Sequence, residues 1–128
     1  MTLPIQGILE TSLYADDLDA AEAFYGSVIG LQLFSRAGNR HVFFRCGDGM
    51  LLIFNAAETL PVHGTRGPGH ACFKVSRADF DRTRQALSEA GIEIETDTEW
   101  PNGARSIYFR DPAGNNLECA EPALWGLE

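Results

Sequence analysis

Alternating apolar and polar residues run through most of this chain, and a helical spacing interrupts them twice. Gly7 to Ala15 (GILETSLYA) alternates as a strand does, placing Glu10, Ser12 and Tyr14 on one face because strand side chains point to opposite sides in turn. Asp16 and Asp17 offer an N-cap to a helix over about Leu18 to Val28. There Leu18, Ala21, Phe24, Tyr25 and Val28 recur at helical spacing and Gly30 supplies the stop. LQLFSRA and RHVFFRC follow as strands about the turn Gly38-Asn39, and MLLIFNA is a third strand after Gly47-Asp48-Gly49. The order is β-α-β-β-β.

Glu58 to Pro68 (ETLPVHGTRGP) is rich in Pro and Gly and has no period, so it reads as a linker. GHACFKV, from Gly69 to Val75, is again a strand. Ser76 to Ala90 reads as an amphipathic helix carrying Phe80, Thr83, Leu87 and Ala90 on one stripe. Gly91 closes it, IEIET is expected to be a strand and TEWPNGA a polar loop. The last segment, SIYFRDPAGNNLECAE, is a hairpin. Pro112 pre-sets φ for its turn, and Gly114 tolerates the positive φ that closes it. The order β-α-β-β-β appears a second time. These boundaries divide a single 128-residue domain into a module over about 7–56, a linker over 57–67 and a module over about 68–122.

The two halves also match residue by residue. Glu10–Ala15 aligns with His70–Val75 at an offset of 60, and Ile29-Gly30-Leu31 aligns with Ala90-Gly91-Ile92 at 61. Phe43–Gly49 aligns with Tyr108–Gly114 at 65. Self-similarity across elements of the same type marks an internal repeat, here of two copies, which suggests a pseudo-twofold pair.

That pairing makes the polar residues informative. Glu10 and His70 become equivalent on the two first strands, and Ile53 and Glu118 on the two last ones, aligned at 65. If the two sheets curl towards each other, the four positions converge near the pseudo-twofold axis. Three of them can bind metal, and two carboxylates with one imidazole suit a divalent ion with coordination positions left open. Taken one at a time, each has an ordinary reading as a solvated carboxylate or a satisfied histidine.

Composition narrows the alternatives. The chain is 45% hydrophobic and 22% charged, as in ordinary globular proteins. A net charge of −8 without a basic patch argues against nucleic acid as a partner. No apolar run approaches membrane-spanning length, the N-terminus MTLPIQGILE lacks the pattern of a signal peptide, and Cys46, Cys72 and Cys119 are odd in number and widely spaced. A cytoplasmic protein with reduced thiols and no membrane partner is expected.

The segments ETSLYADDLDAAEAFYGSVIGL, GHACFKV and YFRDPAGNNLE, with their DP-x-GN-x-x-E turn and FY…GL helix exit, resemble the vicinal oxygen chelate superfamily of glyoxalases, fosfomycin-resistance proteins and extradiol dioxygenases. The resemblance covers nearly the whole chain. It implies an α+β fold of two βαβββ modules forming a cupped, eight-stranded split barrel around a metal, and a homodimer. It implies a ligand set of Glu10, His70 and Glu118. The first of these is commonly His in the fosfomycin-resistance and dioxygenase branches. Glu10 makes the site harder and favours Mn, Mg, Ni or Zn acting as a Lewis acid over Fe(II) oxygen chemistry, although Fe stays among the candidate cofactors. Ile53 stands where glyoxalase-like members can carry a fourth ligand.

Around that set, Tyr14, Phe43, Cys72 and Tyr108 fall on the cup side, either to meet substrate or simply to fill a small barrel. His41 would sit at the rim. Arg66 and Arg105 flank the mouth, either to hold an anionic group or to remain solvated. Trp100 and Trp125 would shield the cup or a dimer contact. Two functions remain open. One is a metal-dependent enzyme on a small oxygen-chelating substrate, by lyase, isomerase or thiol-transferase chemistry rather than oxygenation, with Glu118, Glu10 or Tyr14 moving the proton. The other is a metal-free protein of the bleomycin-resistance type that sequesters a ligand and would not need the three ligands together.

Overall fold

The first and last strands of each module lie side by side and parallel, and the remaining strands are added to that pair in antiparallel fashion. The computed structural model describes residues 6–58 and 67–127. It divides into two compact units, Met1–Arg66 and Gly67–Glu128. Arg66 and most of the expected linker lie outside the described residues.

In the first unit, β1 (Glu10–Tyr14), β2 (Gln32–Ala37), β3 (His41–Cys46) and β4 (Gly49–Phe54) form one sheet in the order β1-β4-β3-β2. Helix α1 (Leu18–Ala23) begins under Asp17, whose side chain accepts the Ala20 N–H at 3.0 Å. The expected helix is present over its whole span, but its second half, Phe24–Ile29, winds as a π-helix. There the Gly30 and Leu31 N–H groups both reach the Tyr25 carbonyl, and Gly30 ends the run at φ 86°. Leu13, Val42, Phe44, Leu51 and Ile53 from the sheet, with Leu18, Ala21, Phe24 and Tyr25 from the helical segment, are the buried side chains of this layer. Arg36 on β2 ties the layers together through Asp19 and Glu22, each at 3.0 Å.

The second unit repeats the plan with β5 (His70–Lys74), β6 (Thr96–Glu99), β7 (Arg105–Arg110) and β8 (Asn116–Ala120), ordered β5-β8-β7-β6. A 3₁₀ turn at Arg77–Asp79, capped by Ser76, leads into α2 (Phe80–Glu89). Phe80 and Leu87 are buried from its stripe, together with Ile107, Phe109 and Leu117 from the sheet, while Ala90 is exposed. Each unit is therefore βαβββ, as its apolar pattern requires. Among the described residues no helix is long and apolar enough to cross a membrane.

The structure corrects the sequence reading in three places. The strand expected at IEIET begins later: Gly91 (φ 78°) and the Ile92 N–H, bonded to the Leu87 carbonyl at 3.0 Å, are spent on ending α2. Pairing starts at Glu95 and runs Thr96↔Tyr108 to Glu99↔Arg105, so β6 is a polar edge strand drawn partly from the expected loop. Such charge on an edge blunts unwanted pairing and erases the apolar alternation that would have announced a strand.

The second correction concerns Ile53. Tyr108 opposes Glu118 in one unit and Phe43 opposes Leu52 in the other, so the residue equivalent to Glu118 is Leu52. Five residues separate Arg110 from its partner Asn116, and four separate Arg45 from Met50. That extra residue moves the offset from 65 to 66 and turns Ile53 onto the helix side.

The third is Arg105. It alternates with Ser106 and Tyr108, so it faces α2. Its guanidinium stacks over Phe80 at 4.4 Å and bonds Asp81 at 3.0 Å and the buried Glu121 at 3.2 Å. It lines the hydrophobic layer and not a substrate surface.

Two expectations follow from this packing. A Cβ at Gly49 would lie 2.7 Å from the Leu9 carbonyl oxygen, a backbone atom that cannot step aside. Gly49→Ala is expected to lower the stability to urea by about 1–3 kcal/mol, the usual cost of overpacking. Burial raises the Glu121 carboxyl, but the Arg105 N–H, its guanidinium and its charge outweigh that and hold it below the ordinary carboxylate value. A depressed carboxylate contributes stability that is complete above the unfolded value, roughly 4.3, and is lost as pH falls through the lower folded value. Acid unfolding of Glu121→Gln should accordingly show a smaller loss of stability below about pH 4 than the parent does.

Candidate functional site

The two sheets present faces of different chemistry on the side away from their helices. In the first unit that face carries Tyr14, Leu52 and Phe54, buried together, with Phe43, Met50 and Ala56 packed against them. His41 lies flat on Phe43 with ring centroids 3.8 Å apart, so it joins this aromatic cluster instead of standing free at a rim. Burial, followed by the charge of Arg40, keeps its imidazole below the ordinary histidine value. Tyr14 packs against Phe54 at 6.1 Å as part of this apolar group. Glu10 shares the face by its register opposite Met50 and is exposed at the start of β1.

The second unit's equivalent face is polar. Register places His70, Cys72 and Lys74 beside Asn116, Glu118 and Ala120, and these beside Arg110, Tyr108 and Ser106. The central residue is Glu118, whose side chain is only 8% exposed while that of its neighbour His70 is 50% exposed. The pair is therefore buried on the carboxylate side and open on the imidazole side.

The hydrogen bonds of His70 fix its chemistry. Nδ1 lies 2.7 Å from the Asn116 side-chain oxygen and 2.9 Å from the Asn116 backbone carbonyl. A carbonyl oxygen only accepts, so Nδ1 carries the proton. In the neutral ring Nε2 then holds a lone pair, and that atom lies 3.4 Å from Glu118 Oε1. Two electron-rich atoms face each other there. The other carboxylate oxygen, Glu118 Oε2, is buried with no hydrogen-bond partner among the described residues. A buried acceptor left unpaired costs about 1–3 kcal/mol, and more when charged. A cation held between Nε2 and the carboxylate resolves both defects, so these residues fit a divalent metal ion. Among the described residues, however, no three His, Cys, Asp or Glu side chains gather into a group that could hold one.

The surrounding groups stay protonated near neutrality. Burial, then the Glu118 charge and a hydrogen bond to it, raises the Tyr108 phenol, which remains a donor. Desolvation at its sulfur and then Glu118 push the Cys72 thiol up to about 12, although the residue as a whole counts as exposed. Cys119, on the opposite face, is likewise pushed up to about 12 by burial first. Trp100 donates its indole N–H to the Ser106 hydroxyl at 2.8 Å, bracing the end of β7, and Trp125 is exposed. Sequence reasoning passed over Asn116. Its signal was its place two residues before Glu118 on the same strand face.

A family model described as the glyoxalase/bleomycin resistance protein/dioxygenase superfamily matches residues 7–119. The chain belongs to that superfamily. Lactoylglutathione lyase from Agrobacterium tumefaciens is 44% identical in sequence over 98% of this chain and all of that one, with a TM-score of 0.92. Glutathione transferase FosA from Serratia marcescens is 30% identical over 89% of this chain and 79% of its own length. Fosfomycin resistance protein FosX from Mesorhizobium loti is 26% identical, covers 91% of this chain and 92% of its own, and has a TM-score of 0.68. The glyoxalase-like α+β fold of two βαβββ modules is thus shared with its superfamily relatives.

One consequence concerns Asn115, which is fully buried in the turn leading to this face. Its side chain accepts the Gly69 N–H at 2.7 Å and donates to Asp111 at 2.8 Å. Asn115→Ala removes the acceptor of the Gly69 N–H and one of the donors to Asp111. The expected loss is about 2–3 kcal/mol in chemical denaturation.

Proposed function

We propose that this protein is a metal-dependent enzyme acting on a small substrate that offers two neighbouring oxygens, with lyase, isomerase or thiol-transferase chemistry. The observation that carries the reading is the His70–Glu118 pair, with Nε2 and Oε1 at 3.4 Å and a buried, unpartnered Oε2 beside them, in a superfamily chain. The relatives named as a lactoylglutathione lyase and a glutathione transferase support this choice of reaction classes.

His70 and Glu118 would hold the ion. A nitrogen and a carboxylate suit Mn, Ni, Zn, Fe or Mg. Bound there, such an ion supplies Lewis-acid stabilisation of negative charge developing on a substrate oxygen. The chain's own groups do the rest. Glu118 is the carboxylate placed to accept a proton. The Tyr108 phenol, raised by burial and then by the charge of Glu118 and a hydrogen bond to it, and Cys72 would line the approach to that carboxylate. Tyr14, set among Leu52 and Phe54, bounds an apolar wall, and its hydroxyl is the second candidate for moving a proton. The protein would work as a cytoplasmic homodimer.

The test is elemental analysis of protein purified without chelators and offered Mn, Ni, Fe and Zn in turn. Near-stoichiometric retention of at least one ion is expected, together with a rise in thermal midpoint on loading. Glu118→Ala should lose that ion while keeping its fold by circular dichroism. Retention below one tenth of stoichiometry for every ion would sink the enzyme reading and favour a metal-free sequestering role. Thiol additions to epoxides and reactions of α-keto-thiol adducts then sort the reaction classes.

A further inference from the structure

The two ring nitrogens of His70 compete for one proton in the neutral imidazole, and each has a different suitor. On one side Glu118 Oε1 stands 3.4 Å from Nε2 and would accept a proton placed there. On the other, Nδ1 has two oxygens of Asn116, the side-chain amide at 2.7 Å and the backbone carbonyl at 2.9 Å. A proton on Nε2 would gain one long bond to the carboxylate and leave Nδ1 as an acceptor facing two acceptors. A proton on Nδ1 gains two bonds of good length and frees Nε2.

We propose that Asn116 is a positioning residue that holds His70 in the Nδ1–H tautomer, against the pull of Glu118, so that the Nε2 lone pair stays available to a cation. Asn116 sits opposite His70 in the parallel β5–β8 register and is half-buried. The backbone carbonyl alone is the longer of the two contacts, so the side chain tips the balance. The residue acts through the imidazole. This inference rests on the metal reading for its purpose, but its physical content, which nitrogen carries the proton, concerns the metal-free protein and is measured there.

Long-range proton–nitrogen correlation spectra of the metal-free protein, labelled with 15N at histidine and recorded at about pH 8.5, report the tautomer directly. The three histidines are distinguished by the disappearance of one signal set in His70→Gln. The parent should show His70 mainly as Nδ1–H. Asn116→Leu should move a substantial fraction to Nε2–H and weaken the binding of whichever ion the parent takes by about tenfold or more, within the range usual for partners of metal-bound histidines. Asn116→Asp, which restores an acceptor, should return the Nδ1–H form. An unchanged tautomer in a folded Asn116→Leu variant overturns the proposal, and so does a parent already in the Nε2–H form. If the tautomer shifts as described but the parent binds no ion, Asn116 positions His70 and the metal-dependent function is what fails.

Discussion

The polar face of the second unit depends on one small knot of hydrogen bonds in the β7–β8 turn. The Asp111 carboxylate accepts the N–H groups of Ala113 and Asn115 at 3.0 and 2.8 Å, and the Asn115 amide donates to its other oxygen at 2.8 Å. Asn115 then reaches out of the hairpin to take the Gly69 N–H, and the Asn116 N–H returns a bond to the Gly69 carbonyl at 2.9 Å. An Asx-type turn would close the hairpin by itself. What the knot adds is a tether from a local turn to a strand that begins 46 residues earlier in the chain. It sets β5 against β8 so that His70 lies beside Asn116 and Cys72 beside Glu118. A slip of one residue would bring Leu117 to the polar face and send Glu118 into the α2 layer, because side chains alternate along each strand.

The same geometry shows how a repeat diverges in chemistry while keeping its fold. Both units use a parallel pair of first and last strands, a helix on one face and an antiparallel hairpin. The first unit's hairpin turns through Gly47 and Asp48 alone and carries no equivalent of the Asp111–Asn115 knot. Its face away from the helix is filled by Tyr14, Phe43, Leu52 and Phe54, which stabilise by burial. The second unit places Glu118 and Tyr108 where the first has Leu52 and Phe43, with His70 and Asn116 beside them, and Glu118 Oε2 has no hydrogen-bond partner among the described residues. The first unit's face is apolar and the second unit's face is polar.

Much of this was legible in the sequence because it rests on local signals. The strand alternation, the Asp17 cap, the glycines at Gly30 and Gly91 and the DP-x-GN turn each act over a few residues, and the repeat added weight to them. Glu118 stood out since a carboxylate in mid-strand is costly wherever that face is buried. What escaped notice lay in pairing between strands. β6 lacks an apolar alternation because an edge strand is stabilised by its partner's backbone and by Arg84 on Asp97, at 2.8 and 3.0 Å. The face of Arg105 and the equivalence of Leu52, not Ile53, with Glu118 both depend on register. One extra residue in a turn changes register without disturbing any local pattern.

His70 and Glu118 also show why the site has to be bought with stability elsewhere. Glu118 sits under the sheet's polar face with one oxygen unpaired among the described residues, and Cys72, Cys119 and Tyr108 are all made harder to ionise by burial first and then by its charge. Nothing in the hydrophobic layer requires a carboxylate there, since Leu52 fills the equivalent position in the other unit without penalty. The Asp111–Asn115–Gly69 tether and the Arg105–Glu121–Asp81 network anchor both ends of β8. A rigid strand that holds an unsatisfied carboxylate against the bare nitrogen of an oriented imidazole is a poor solution for folding alone. It is a good one for a pair of groups whose missing partner is a cation.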